Sequence, residues 1–308
     1  MSSTASSSPA WLQRKERGSM KLLWVMTRLS LLAGRRATRP IVHLIALYFV
    51  LAAPAARRAS RDYLTRCLGQ PARWLDLYRH VLTFASTIHD RIYLLNDRFD
   101  LFDVQRHGDL PPLDASPDTT TGAFLFGGHL GSFEVLRTFA RRDAQGLVAV
   151  AMYPENARQI NQALAAINPR AVHDIIALGQ LDSILNIHER IERGAMVGIL
   201  ADRGMQAERM VSLPFLGQMA SFPSGPFKLA VAMRKPVYFM AGVYRGSGRY
   251  ELHFERLSDG AHPGRDREQA VRALMQKYAR ALEAQCRQAP YNWFNFYDFW
   301  EPAPHDPV

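Results

Sequence analysis

A histidine and a carboxylate stand close together in the stretch AFLFGGHLGSFEVLRTFARR, residues 123–142. Residues 123–126 form an apolar run of strand length, a double glycine ends it, and residues 133–142 have the apolar spacing of a helix. His129 and Glu134 therefore lie at a strand-to-helix turn. Five positions correspond to roughly 140° around an ideal helix, so the two side chains can meet only if His129 precedes the helix.

Such a pair is suited to general-base chemistry. We expect Gly131 to take an unusual backbone conformation that folds His129 back over the first helical turn, where it meets Glu134. An imidazole held by a carboxylate can take a proton from an incoming hydroxyl or amine without a covalent enzyme intermediate. The glycines leave room for substrate, and free N–H groups at the helix start can face a developing oxyanion. This geometry fits acyl transfer, with His129 and Glu134 catalytic and Gly128, Gly131 and Ser132 binding substrate, although Ser132 is typical of a helix N-cap.

A second polar turn follows another apolar strand, at residues 196–200. Ligands in α/β folds gather beyond the carboxyl ends of strands, so we expect Asp202 and Arg203 to lie near the histidine turn and to contribute to substrate binding. Arg203 is suited to bind a phosphate or to polarise an acyl carbonyl. A plain salt bridge from Arg203 to Asp202 or Glu208 is an equal alternative.

Alternating apolar strands and amphipathic helices predict an α/β layered fold. The predicted strands are 147–152, 171–178, 196–200, 237–244 and an edge strand at 250–257. The predicted helices, besides 133–142, are two within 61–95 that are separated by a break at 69–71, one ending at 167, and 181–192, 227–233 and 265–288.

Four other features leave alternatives open. Residues 99–121 predict a surface connection or an edge hairpin. Residues 211–222 are apolar and could line an acyl-chain tunnel or simply pack in the core. The aromatic residues 291–300 could cap the core or sit at a membrane interface. His80 and His89 lie in a helical region and are predicted to be helix-surface or packing residues instead of ligands.

The positive charge of the chain is confined to its N-terminal part. The formal net charge is +10, and residues 1–70 carry twelve Lys and Arg against two acidic side chains, which leaves the remainder neutral. No nucleic-acid recognition motif accompanies these basic residues. Their interleaving with apolar residues favours an anionic membrane surface, which could also receive an acidic carrier protein. Two cysteines, Cys67 and Cys286, and the absence of metal-ligand spacing predict neither a disulfide scaffold nor a metal or other cofactor.

The N-terminal apolar stretch is short for a membrane span. Residues 41–53 would make a helix of about 20 Å, against a hydrocarbon core of about 30 Å. We therefore expect residues 22–53 to form one or two amphipathic helices lying in the cytoplasmic leaflet, with packing onto the globular body or a true transmembrane anchor as alternatives. The predicted organisation is a disordered tail at 1–20, a membrane-associated helical segment at 21–60 and a catalytic domain at 61–308.

These motifs resemble those of a known family. HLGSFE, residues 129–134, resembles the histidine, four residues, acid motif of the lysophospholipid-type acyltransferases, and GGHLGSFEVL is similar to the lipid A late-acyltransferase branch. ILADRG at 199–204 and the stretch from 211 to 239 resemble later blocks of that branch in the same order. The resemblance covers residues 11–300. The segments WLQRKERGS and YFVLAAPAARRASRDYL resemble the acyltransferases of aryl-polyene-type pigment clusters.

The resemblance implies an acyltransferase with a layered α/β/α fold and a mixed central sheet. The implied reaction moves a fatty or polyenoyl chain from acyl carrier protein or coenzyme A to a hydroxyl or amine of a membrane lipid or glycolipid, at the cytoplasmic face of the bacterial inner membrane. His129 would be the base, Glu134 would orient it, and Asp202 with Arg203 would shape the oxyanion region. A thioesterase that uses water as acceptor and a non-catalytic lipid-binding or carrier-binding protein are the alternatives.

Overall fold

The computed structural model describes most of the chain between residues 20 and 300. The described residues are 20–109, 122–143, 148–152, 162, 164–165, 167–168, 175–178, 181–204, 208–261 and 266–300. The tail predicted at residues 1–20 and the helix predicted to end at 167 lie largely outside them.

Helices and strands alternate along the described chain. The helices are α1 (Met20–Ala52), α2 (Pro54–Leu68), α3 (Trp74–Leu94), α4 (Phe133–Asp143), α5 (Leu181–Glu192), α6 (Gly225–Met233) and α7 (Arg267–Gln288), with a 3-10 turn at Phe99–Leu101. The strands are β1 (Asp103–Gly108), β2 (Ala123–Gly127), β3 (Val148–Met152), β4 (Ile175–Ala177), β5 (Met196–Leu200), β6 (Met210–Phe215), β7 (Gln218–Pro223), β8 (Val237–Gly246) and β9 (Arg249–Ser258).

A mixed sheet of seven strands forms the centre of the molecule, in the order β1-β9-β8-β2-β5-β3-β4. Strands β8, β2, β5, β3 and β4 run parallel, β9 is antiparallel to β8, and β1 is parallel to β9. The mixed sheet confirms the expected fold. The prediction that 250–257 is an edge strand is wrong, because β1 pairs along its outer side. The sequence predicts a surface connection or an edge hairpin for residues 99–121. Their described part instead contributes β1, the edge strand of the sheet.

Helices cover both faces of the sheet. Because successive side chains of a strand point to opposite faces, β2 places Phe124 and Phe126 in one apolar core and Ala123 and Leu125 in another. The first core includes residues of α2, α5, α6 and α7, and the second includes residues of α3 and α4. Burial of β2 at every position follows from this double cover and confirms the layered α/β/α architecture.

The N-terminal segment is helical, as expected, and its association with a membrane stays a prediction. Helix α1 bends at Gly34, whose φ is +84°, and its second half buries Val42, Ala46 and Val50, with α3 as its main packing partner. Within the described chain, no single helix has the length and apolarity needed to cross a membrane. Helices α1 and α2 meet that requirement when they are taken together as a pair bent by 96°, and they do so by length and composition alone.

The apolar stretch at 211–222 forms the hairpin of β6 and β7. Its buried side chains Leu213, Phe215 and Phe222 belong to the larger core, where Phe215 and Phe222 contact Phe299 edge to face. Of the two alternatives, this arrangement corresponds to core packing.

Candidate active site

Sheet order brings two polar turns side by side. Strands β2 and β5 are parallel neighbours, and Gly127 lies opposite Leu200 at their carboxyl ends. His129 and Asp202 each follow two residues later, so they leave the sheet at the same level. The Ala201 N–H donates to the Gly127 carbonyl at 2.9 Å, which ties the two turns together. The expected proximity of the two turns is confirmed.

His129 and Asp202 form the central pair of the site. The Nδ1 of His129 lies 2.8 Å from Oδ1 of Asp202, and the backbone N–H of His129 donates to Oδ2 at 2.9 Å. The indole N–H of Trp293 donates to the same Oδ2 at 3.0 Å. Asp202 is completely buried, so these three contacts hold its carboxylate in a fixed orientation.

The protonation of this pair follows from its contacts. Burial opposes ionisation of Asp202, but the charge and hydrogen bonds of His129, together with Arg203, lower the pKa of its carboxyl below the usual range. Because an ionised carboxylate can only accept, the proton of the neutral imidazole lies on Nδ1. The Nε2 atom then carries the lone pair, on a side chain that is 34% exposed. Burial and the charge of Arg203 lower the pKa of His129 despite the opposing effect of Asp202, which favours the neutral base.

The structure corrects the predicted partner of the histidine. Glu134 lies in the first turn of α4, but its Oε1 accepts two N–H groups of Arg137, at 2.9 Å from Nε and 2.5 Å from Nη2. Both side chains are buried. The motif spacing places Glu134 near the turn, but a residue three positions later on the same helix binds it, while the neighbouring strand supplies the acid that contacts His129.

Backbone constraints explain the small residues of the turn. Gly131 has a φ of +71°, and a Cβ there would lie 1.9 Å from the carbonyl oxygen of Gly242. A Cβ at Gly128 would approach the Leu282 side chain at 3.0 Å. Ser132 accepts the Val135 N–H at 3.3 Å, which confirms its role as an N-cap. Substrate binding by Gly128, Gly131 and Ser132 stays a prediction.

Arg203 brings a positive charge to the site. Its Nη2 donates to the Phe294 carbonyl at 2.8 Å, and its guanidinium lies 4.9 Å from the ring centre of Tyr297. Its Nε is buried without a hydrogen-bond partner among the described residues. The role of Arg203 in substrate binding stays a prediction. The described part of the chain contains no group of three or more His, Cys, Asp and Glu side chains that could hold a metal ion.

The C-terminal aromatic segment also contributes to the site, which its sequence does not indicate. The Gly131 N–H donates to the Asn292 carbonyl at 2.8 Å, and the Phe294 N–H donates to the His129 carbonyl at 2.8 Å. Trp293 stands between Asn292 and Phe294 in the chain, and its indole N–H donates to Asp202. The density of aromatic residues marks this segment in the sequence, but no spacing rule connects it to a turn so far upstream.

One known protein family matches the part of the chain that contains these turns. The family described as bacterial lipid A biosynthesis acyltransferase matches residues 85–301, which is more than half of the chain and includes the histidine turn, the Asp202 turn and the aromatic segment. The chain belongs to this family. It is therefore an acyltransferase, and its family is membrane-associated and suggests acyl transfer to a lipid. No curated protein matches the chain.

Proposed function

We propose that this acyltransferase moves a fatty or polyenoyl chain from an acyl thioester, carried by acyl carrier protein or coenzyme A, to a hydroxyl or amine of a membrane lipid or glycolipid. The observation that carries the proposal is the hydrogen bond between Nδ1 of His129 and the buried carboxylate of Asp202. This bond leaves the lone pair on Nε2 of a partly exposed ring. This arrangement suits a base that acts on an exogenous nucleophile.

The reaction follows from the position of that lone pair. Nε2 takes the proton of the acceptor hydroxyl or amine as its oxygen or nitrogen attacks the thioester carbonyl carbon. Asp202 stabilises the resulting imidazolium and keeps the ring in its orientation. When the tetrahedral intermediate collapses, the carbon–sulfur bond breaks and the thiolate takes the proton back from Nε2. The base is regenerated, and no covalent enzyme intermediate is required.

Arg203 is the candidate for stabilising negative charge during this step. Its positive charge adds to burial in lowering the pKa of His129, and adds to the effect of His129 in lowering the pKa of Asp202. A fixed positive charge beside a developing oxyanion lowers the barrier most where water is excluded. We assign Arg203 to the oxyanion region or to a phosphate of the donor or acceptor.

The same proposal includes docking at the cytoplasmic face of the inner membrane, where acyl-thioester donors are available. The second half of α1 leaves an apolar stripe exposed on the side away from its buried residues. The stripe consists of Leu44, Leu47, Tyr48 and Leu51, which are 66%, 47%, 56% and 61% exposed. Their spacing places them on one face of the helix, suited to lie among acyl chains.

The catalytic proposal is tested with purified protein in detergent, radiolabelled acyl-carrier protein or acyl-coenzyme A, and total membrane lipid extract. Label should appear in a lipid with wild type, and His129→Ala should lose roughly 10²–10⁴-fold in rate. His188→Ala is the matched control, because His188 is an exposed histidine of α5 whose ring is 3.6 Å from Glu192. Label found only in free fatty acid would indicate a thioesterase. A His129→Ala enzyme at wild-type rate, or no turnover with either donor, would contradict the proposal.

The docking surface is tested by vesicle co-sedimentation with anionic lipid. Burying a leucine side chain stabilises by about 1.5–3 kcal/mol, so Leu44→Ser with Leu51→Ser should weaken binding by at least about tenfold. Leu185→Ser removes a leucine that is 58% exposed on α5 and should leave binding unchanged. Equal binding of the double variant and the control would show that the membrane contacts another surface.

A further inference from the structure

The C-terminal segment of residues 292–294 is built into the catalytic turns. Leu130 pairs with Trp293 in an isolated antiparallel bridge, and the backbone groups of Asn292 and Phe294 bind both sides of the histidine turn. The Phe294 carbonyl also accepts from Arg203. One short segment therefore contacts the base, its acid and the neighbouring cation.

Trp293 makes the only side-chain hydrogen bond from this segment to Asp202 among the described residues. Its ring is completely buried and lies edge to face against Tyr63, Phe215 and Phe299, at centroid distances of 4.9, 5.3 and 4.9 Å. Rings packed on several sides leave the indole little freedom to rotate. Its N–H is therefore directed at Oδ2 of Asp202 by packing as well as by the hydrogen bond.

The N-terminal helices fix the backbone of the same residue. The Nε2 of His80, on α3, lies 2.8 Å from the Trp293 carbonyl, and the Nδ1 lies 2.7 Å from Oγ of Ser60 on α2. Complete burial lowers the pKa of His80 to about 4, so its ring is neutral at pH 7. A neutral ring that donates from Nε2 to the carbonyl accepts at Nδ1 from the Ser60 hydroxyl. Trp293 is thus held at its carbonyl and at its indole.

We infer that Trp293 is a positioning residue for the reaction, which sets both the orientation of the Asp202 carboxylate and the basicity of His129. The inference rests on the proposed function, because it assigns Asp202 and His129 the roles given above. By occupying Oδ2, the indole N–H leaves Oδ1 directed at Nδ1 of His129. It also withdraws part of the negative charge of the carboxylate, since a hydrogen bond to a charged group stabilises that form.

The sign of the expected effect follows from this second role. Without the indole N–H, the carboxylate keeps more of its charge and interacts more strongly with the imidazolium form of His129. The pKa of His129 should therefore rise. The carboxylate should also become less well oriented, so the chemical step should slow while substrate binding is retained.

The test compares Trp293→Phe with Trp300→Phe. Phenylalanine keeps an aromatic ring in the cluster and removes the N–H. Trp300 is the matched control, because its ring packs on Trp293, Phe215 and Phe299 while its Nε1 has no hydrogen-bond partner among the described residues.

We expect Trp293→Phe to raise the pKa of His129 by about half a unit or more, read by NMR titration of ¹³C-labelled histidine without substrate. The acid limb of kcat/KM should move by the same amount, kcat should fall by about tenfold and KM should stay within twofold, while Trp300→Phe should change none of these.

A second measurement covers the case in which Trp293→Phe does not fold. In Asp202→Asn the indole N–H resonance of Trp293 should move upfield, because a neutral amide is a weaker acceptor than a carboxylate, and that of Trp300 should stay in place. The inference is overturned if the pKa of His129 is the same in Trp293→Phe and wild type, or if the indole resonance does not respond to Asp202→Asn. Both readouts are independent of turnover. A fully active His129→Ala enzyme would instead refute the proposed function and leave these spectroscopic effects in place.

Discussion

Replacing Asp202 and Glu134 each by its amide distinguishes the two carboxylates as partners of His129. In Asp202→Asn, the amide replaces an Oδ2 that accepts two N–H groups and an Oδ1 that accepts one. The amide oxygen should therefore keep the Oδ2 position, where two donors meet it, and the NH₂ group should face Nδ1 of His129. A donor facing Nδ1 forces the ring to carry its proton on Nε2, which removes the base.

The expected loss is large because the wrong tautomer has no lone pair toward the acceptor. We expect kcat to fall roughly 10²–10⁴-fold, about 3–5 kcal/mol in the activation free energy. In Glu134→Gln, the amide oxygen can still accept from Arg137, but the buried guanidinium loses its counter-charge. Removing one partner of a buried pair typically costs about 3–5 kcal/mol in stability, so this variant should melt earlier. The kcat of its folded fraction should stay within about threefold of wild type.

The assay is the initial rate of acyl transfer at saturating donor, normalised to the folded fraction from thermal melting. His129→Ala sets the rate expected without the base. If Glu134→Gln loses as much kcat as Asp202→Asn while remaining folded, Glu134 contacts His129 during the reaction, and the pairing with Asp202 does not describe the catalytic state.

Three further predictions concern charge, burial and backbone. Besides burial, the charge of Arg203 lowers the pKa of His129, so Arg203→Gln should move the acid limb of kcat/KM to higher pH, and an unmoved limb would contradict this. Because the pKa of His80 is about 4 when folded and about 6.5 when unfolded, stability from this residue is present above pH 6.5 and is lost as pH falls toward 4. Urea unfolding should show a loss of about 2 kcal/mol between pH 7 and 5 that His80→Gln removes, and an identical pH dependence in the variant would refute it. Gly131→Ala should lower the melting temperature far more than Gly246→Ala. Both glycines have positive φ, but of the two only Gly131 has a backbone oxygen where a Cβ would stand. Equal losses in melting temperature would show that this steric contact at Gly131 is unimportant.

Sequence reasoning predicts local elements and strand-end turns well in this chain. The apolar run before His129 and the one before Asp202 are short, continuous and bounded by turn residues, which is typical of buried parallel strands. Their adjacency depends on sheet order, which local periodicity does not encode. The sequence therefore places both turns at one edge of the sheet, but it does not show that β2 and β5 are neighbours whose turns leave at the same level.

The N-terminal segment shows a different limit. Periodicity predicts an amphipathic helix but does not tell which apolar face meets the protein. In the structure, Val42, Ala46 and Val50 are buried while Leu44 and Leu51 remain exposed, because apolar residues occur on both sides of the helix. The sequence alone leaves packing onto the globular body and binding a membrane as alternatives. In the structure the two are compatible, because the buried and the exposed apolar residues lie on different faces of the helix.

The existing contacts of each carboxylate give a physical reason why Asp202 is better suited than Glu134 to support His129 as a base. Glu134 is paired with a guanidinium, so its charge is already compensated by a permanent cation. Asp202 instead accepts two neutral N–H groups besides the histidine ring, and Arg203, whose guanidinium donates to the Phe294 carbonyl, acts on it through its charge without a hydrogen bond to it in the described part of the chain. A carboxylate in that state still gains free energy when the neighbouring imidazole becomes charged, which is what a general base requires of its partner. The Glu134–Arg137 pair, on the first turns of α4, is suited to fix the helix that follows the histidine turn.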